Sequence, residues 1–162
     1  MKVLIECPLT SFPRSYARDY KETYFVPPVS TVYGFLLSLI GECDKERYKE
    51  ASFTITMQKE VEYPSVVLRK LRHHKFSVGP QQKKRAAKYG DGVYPAHLFT
   101  KPNFQELLTD VEFIVDINTS NQHGVELADK VSTALTNPAS IKRFGGLSLG
   151  ESCFLVNNVK LV

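Results

Sequence analysis

The chemistry most visible in this chain is a concentration of positive charge. Between Arg69 and Lys88 stand eight basic residues, Arg69, Lys70, Arg72, Lys75, Lys83, Lys84, Arg85 and Lys88, and no Asp or Glu. Of the chain's 21 Lys and Arg, that leaves thirteen elsewhere against 17 acids. The formal charge of +4 therefore hides a mildly acidic body with one segment suited to a polyanion. Each phosphate neutralised there would release counterions, so binding through this segment should fall steeply with salt. A charged run is ordinarily a solvated face, but eight cations without one acid in an otherwise net-negative body favour nucleic-acid contact.

Two shorter motifs point the same way. Pro27-Pro28-Val29-Ser30-Thr31 opens an apolar periodic stretch, and a helix starting there offers free backbone amides and the positive end of its dipole to an anion. Arg143 to Gly150 is glycine-rich, with Gly145 and Gly146 able to let backbone approach a phosphate beside Lys142 and Arg143. It is not a Walker motif, since no Gly-Lys-Ser/Thr follows, and alone it reads as a tight turn. From Ser11 to Pro28, aromatic and basic residues interleave: Phe12, Arg14, Tyr16, Arg18, Tyr20, Lys21, Tyr24 and Phe25. Bases of a single strand can stack on such aromatics while Arg and Lys hold the backbone, although several of these rings must serve the core.

The elements that must position these residues follow from periodicity. Lys2 to Cys7 reads as a buried strand. Ser30 or Thr31 is expected to cap a helix with apolar positions Val32, Phe35, Leu36, Leu39 and Ile40, stopped at Gly41. Phe53, Ile55, Met57 and Val61 alternate with polar residues over Ser52 to Glu62, and Val111, Phe113, Val115 and Ile117 do so further on, giving two half-buried strands. Between them Gly79-Pro80 breaks the chain, Gln81 to Lys88 is a polar basic tip, and helix and strand are hard to separate up to Phe104. Asn118 to Asn121 offers capping residues for a helix with Val125, Ala128, Val131 and Leu135 on its apolar stripe, ending before Asn137-Pro138. A terminal strand is expected from Phe154 to Val162. With 63–110 set aside as an insertion, the order is strand, helix, strand, strand, helix, strand. That is the split βαβ order of an α+β, ferredoxin-like (RRM-like) fold, with the basic segment on a projection between the second and third core strands.

Length and composition exclude other classes. The 162 residues suit one domain burying roughly 70% of its unfolded surface. The opening apolar run is only Val3 to Ile5, and the most apolar stretch, Val32 to Ile40, is far short of the ~20 residues that span a bilayer. Neither secretion nor membrane insertion is expected. Cys7, Cys43 and Cys153 are odd in number and far apart, which fits a reducing cytosol. No Cys-x-x-Cys or His-x-x-x-His spacing exists to hold zinc, His97 and His123 stand alone, and neither metal nor cofactor is expected.

The stretches from Tyr24 to Leu36 and from Arg143 to Ser152 together resemble the Cas-five family of CRISPR-associated proteins, within the RAMP superfamily. The resemblance implies a ferredoxin-like RAMP core over 1–162 with 63–110 inserted as a thumb. It implies a subunit of a type I Cascade surveillance complex in antiviral defence, gripping the 5′ handle of the CRISPR RNA and contacting the backbone and large subunits, with target DNA met indirectly through the guide. Carried over, Ser30, Thr31, Tyr33 and Gly34 would lie at the handle-binding helix start. Arg69, Arg72, His73, His74, Lys75, Lys83, Lys84, Arg85 and Lys88 would belong to the thumb and its base, and Gly145 and Gly146 to the glycine-rich loop. Arg14, Arg18, Lys142 and Arg143 complete the expected RNA contacts. One branch of the family cuts its own repeat RNA without metal, through Tyr, Lys and His, and Tyr33, His73, His74 and Lys75 supply those types. A histidine pair within a basic strand is more often a contact than a catalyst, so cleavage is the alternative, as is a stand-alone RNA-binding module.

Overall fold

A computed structural model describes residues 1–16, 20–61, 63–72, 100–143 and 145–162, the side chains of 70–72 and 100–102 excepted. Among the described residues the fold is mixed α+β, a six-stranded sheet with two α-helices. Its spine is β5 (Thr100–Ile117), in which apolar residues at odd positions place Val111, Phe113, Val115 and Ile117 on one buried face. β1 (Lys2–Thr10) runs antiparallel to it, pairing Ile5 with Phe113 and Cys7 with Val111, so that Val3, Ile5 and Cys7 fall on the same face. β3 (Phe53–Met57) pairs with the other edge of β5, Ile55 opposite Val115, and β6 (Asn158–Leu161) pairs antiparallel with β1. Across the core the order is β6–β1–β5–β3, every neighbour antiparallel.

α1 (Val29–Ile40) and α2 (Gln122–Thr136) pack on the apolar face. Val32, Phe35, Leu36 and Leu39 of α1 and Leu127 and Val131 of α2 are buried with the odd-numbered strand residues. Each fully buried side chain of this size is worth about 1.5–3 kcal/mol. α1 ends at Gly41, whose φ of 71° is left-handed. α2 begins at Asn121, whose side chain accepts a 2.7 Å hydrogen bond from the Gly124 amide, and ends at Asn137 before Pro138.

Several expectations are corrected. α1 is not capped by Ser30 or Thr31: the cap is Pro28, with no side-chain hydrogen bond, because the helix is already under way at Val29 and the Pro28 carbonyl accepts from the Thr31 and Val32 amides. On α2 Val125 is exposed, and the buried stripe is centred on Leu127 one turn-face away. The last strand is shorter than Phe154 to Val162, since the chain before it turns back through a lone Ser148–Leu155 bridge. From Thr100 on, the segment up to Phe104 is strand, its earlier part lying outside the described residues: β4 (Ser65–Arg72) pairs antiparallel with residues 100–107 of β5, Leu68 opposite Phe104. A two-residue strand, β2 (Tyr20–Lys21), runs parallel to β5 on the opposite edge there. The expected insertion boundary at residue 110 thus falls inside one continuous strand, at Asp110, whose φ of 53° is the only positive value outside glycine among the described residues. Lys59 answers it, its Nζ lying 2.8 Å from Asp110 Oδ2 and 3.2 Å from Glu112 Oε2.

Candidate nucleic-acid interface

α1 presents Ser30, Tyr33, Gly34, Leu37 and Ser38 along one side, three- and four-residue spacing having stacked them on a common face. Facing them across an open groove of about 850 Å³ are Lys142 and Arg143, with Gly41, Glu42, Cys43 and Lys45 closing the end. The groove exists because Gly41 lets the chain after α2 come close. A Cβ at Gly41 would overlap the Lys142 carbonyl oxygen, so only glycine permits both the left-handed turn and this approach. Gly34 has open space where a Cβ would stand, which keeps the groove floor low. The arrangement can hold an anionic, partly apolar ligand: two exposed cations on one wall, a tyrosine edge and hydroxyls on the other.

Of the expected contacts, Ser30, Tyr33, Gly34, Lys142 and Arg143 are brought together here. Thr31 is half-buried beside them and does not line the groove. Gly145, with φ of 75°, and Gly146 form the exposed turn that follows Arg143. Arg14 lies in a loop closed by Tyr24-to-Phe12 and Arg14-to-Glu22 backbone bonds; its guanidinium donates to the Tyr16 hydroxyl at 2.8 Å, sits 3.4 Å from Glu22 and lies over the Tyr24 ring. Tyr16, Tyr20, Tyr24 and Phe25 are exposed, whereas Phe12 is core. Arg69 is held internally by Glu151. Arg72 ends β4 with its side chain outside the described part, and Arg18, His73, His74, Lys75, Lys83, Lys84, Arg85 and Lys88 lie outside the described residues altogether.

Burial pushes the Tyr33 phenol up from its ordinary value, and its hydroxyl donates to the Lys45 carbonyl at 2.8 Å. Among the described residues no three His, Cys, Asp or Glu side chains converge as metal ligands, and no described helix is long and apolar enough to cross a membrane.

Sequence reasoning missed the residues that close the groove, Cys43 and Lys45, because nothing in their spacing links them to Lys142 across a hundred positions. It also missed a polar cluster at the base of β4. There the Arg69 guanidinium donates to Gln105 Oε1 at 2.7 Å and Glu151 Oε2 at 2.6 Å, and the Gln105 amide donates to Glu151 Oε1 at 3.0 Å. No local signal marked the cluster, because around Gln105 the sequence does not alternate and the apolar Phe104 beside it is the exposed one.

Comparison with known proteins gives the family and the fold. The family model described as CRISPR-associated protein (Cas_Cas5) matches residues 1–160. The CRISPR-associated protein Cas5 of Myxococcus xanthus (strain DK1622) is 31% identical over 160 residues, covering 98% of this chain and 68% of the relative. Among solved structures, a chain described as a CRISPR RNA-guided surveillance complex superposes with a TM-score of 0.60 at 18% identity, covering 96% of this chain and 59% of that one. Another, described as the crystal structure of a Cas protein, gives 0.54 at 16% identity, covering 96% and 58%. This chain therefore spans under three fifths of the length of those solved chains, which share its fold. Matched along 160 residues by the family model and at 31% identity by a Cas5 protein, the chain belongs to the Cas5 family of CRISPR-associated proteins.

Proposed function

We propose that this chain is the CRISPR RNA-binding subunit of a type I Cascade surveillance complex, working in the cytoplasm, that holds the 5′ handle of the guide and meets the backbone and large subunits. The observation that carries the reading is the groove in which Ser30, Tyr33 and Gly34 of α1 face Lys142 and Arg143, because two motifs over a hundred residues apart combine cations with hydroxyls and a ring edge. Its membership of the Cas5 family and the fold it shares with a surveillance-complex chain support the same reading. The β6–β1–β5–β3 order with both helices on one face supports a ferredoxin-like core. The pairing of β4 with the first half of β5 supports a thumb base, from which the basic run continues.

In this reading the groove takes the sugar-phosphate backbone of the handle while the basic run from Arg69 to Lys88 lies along the guide, and target sequence is read by base pairing of the RNA. The test is titration of a repeat-derived RNA against the chain and against a variant with Lys83, Lys84, Arg85 and Lys88 changed to Gln. The expected result is tight, salt-dependent binding by the first and a marked loss by the second. Equal binding at moderate salt would overturn the thumb assignment, and failure of both to prefer repeat RNA over an unrelated strand would overturn handle recognition.

A further inference from the structure

Glu151 follows the glycine-rich turn, on a segment anchored firmly to the core. Gly150, with φ of 84°, packs against the Ser11 carbonyl so closely that a Cβ would overlap it, and the buried Thr10 hydroxyl donates to the Leu149 carbonyl at 2.7 Å. From that anchored position the carboxylate reaches three strands at once. Its Oε1 accepts from Gln105 of β5 at 3.0 Å and from Lys21 of β2 at 3.5 Å; its Oε2 accepts from Arg69 of β4 at 2.6 Å and faces the Cys153 thiol at 3.9 Å.

Among the described residues of the stem formed by β4 and residues 100–107, Val66, Val67 and Leu68 of β4 are 53%, 39% and 50% exposed, so their side chains bury little against the core. Gln105, in contrast, is fully buried, and both ends of its amide are used within the cluster. Without Glu151 the Gln105 amide would lose its acceptor and Lys21 and Arg69 would be left as like charges with no acid between them. Such a group is costlier to strip of its partner than an exposed ion pair.

We infer that Glu151 is a positioning residue, a latch that ties the β4–β5 stem to the glycine-rich segment and so fixes the stem's direction relative to the groove. The latch is a property of the free protein. Its consequence for RNA, that the basic run and the Lys142–Arg143 wall are held in register for one strand, rests on the function proposed above.

Hydrogen exchange on the full chain without RNA tests it. Glu151→Gln and Arg69→Gln should each raise amide exchange in 65–72 and in 145–151 by about tenfold, the equivalent of one lost charge-assisted hydrogen bond. The double variant should add little to either, and the swapped pair Glu151→Arg with Arg69→Glu should recover part of the protection. Additive effects, or stem exchange no different from that of Lys59→Gln, would overturn the latch. Should Glu151→Gln not fold, Arg69→Met reads the same contact, because it keeps an unbranched stem but removes the single nitrogen, Nη1, that donates to both Gln105 and Glu151. Its exchange should rise in both segments, and an unchanged pattern would count against the latch. Titration with repeat RNA is a separate arm: loss of binding by the unaltered chain overturns the functional reading and leaves the exchange result standing.

Discussion

Gly41 and Lys142 touch backbone to backbone: the Cα of the residue that ends α1 lies against the carbonyl of the residue that opens the basic wall. The contact makes the groove, since it fixes the end of one helix to the chain leaving the other. It also makes Gly41 necessary twice over, for a φ of 71° and for want of room.

Gly41→Ala should therefore destabilise the chain by more than the ~1 kcal/mol that a left-handed alanine costs, because the Lys142 backbone must also move. Denaturant unfolding measures the stability. Repeat-RNA affinity should fall in the same variant at concentrations where it remains folded.

Lys142→Gln and Arg143→Gln act on the opposite footing. Both side chains are exposed, so stability should change by no more than about 0.5 kcal/mol. RNA affinity should weaken, and the slope of log affinity against log salt should drop by about one for each phosphate contact removed. An unchanged slope would remove these residues from the interface.

Acid sensitivity should centre partly on Glu151. Burial pushes this carboxyl up, but the Arg69 hydrogen bond and the charges of Lys21 and Arg69 more than offset it and hold it below the usual carboxylate range. A group whose folded value is depressed contributes stability that is complete above its unfolded value, about 4.3 for Glu. That contribution is lost as pH falls through the lower folded value. Glu151→Gln should consequently flatten the stability curve below about pH 4.3 and lower the plateau above it, as thermal unfolding across pH would record.

Asp110 sits where β5 passes from core to stem with φ of 53°. A β-branched residue tolerates that region poorly, so Asp110→Val should cost about 1–3 kcal/mol. Asp110→Gly should be nearly neutral, since relief of backbone strain offsets the loss of an exposed ion pair with Lys59 worth about 0–1 kcal/mol.

Much of the core was readable from local pattern. Alternation at Val111, Phe113, Val115 and Ile117, helical spacing at Val32, Phe35, Leu36 and Leu39, and the stop at Gly41 are signals of period two, period 3.6 and a left-handed cap. Elsewhere the local signal is weaker. Val125 fits two neighbouring faces of α2 by spacing alone and is exposed in the fold, and nothing around Tyr48 marks it for full burial. Residues 100–107 carry Lys101, Pro102, Gln105 and Glu106, a mixture with no clean period, and become strand only because β4 and β2 supply partners on both edges.

The candidate site divides in the same way. The sequence by itself determined which residues carry charge and backbone freedom: the segregated cations, the Pro27-Pro28 helix start, the glycines after Arg143, and the family they belong to. Only the tertiary structure decided which of them meet. It set Lys142 and Arg143 opposite Ser30 and Tyr33, and it gave Arg69 to Glu151 in place of solvent. Charge and flexibility are properties of single residues and short windows. Proximity between residues a hundred positions apart is fixed by how helices and strands bury their apolar faces together, and that is a property of the whole chain.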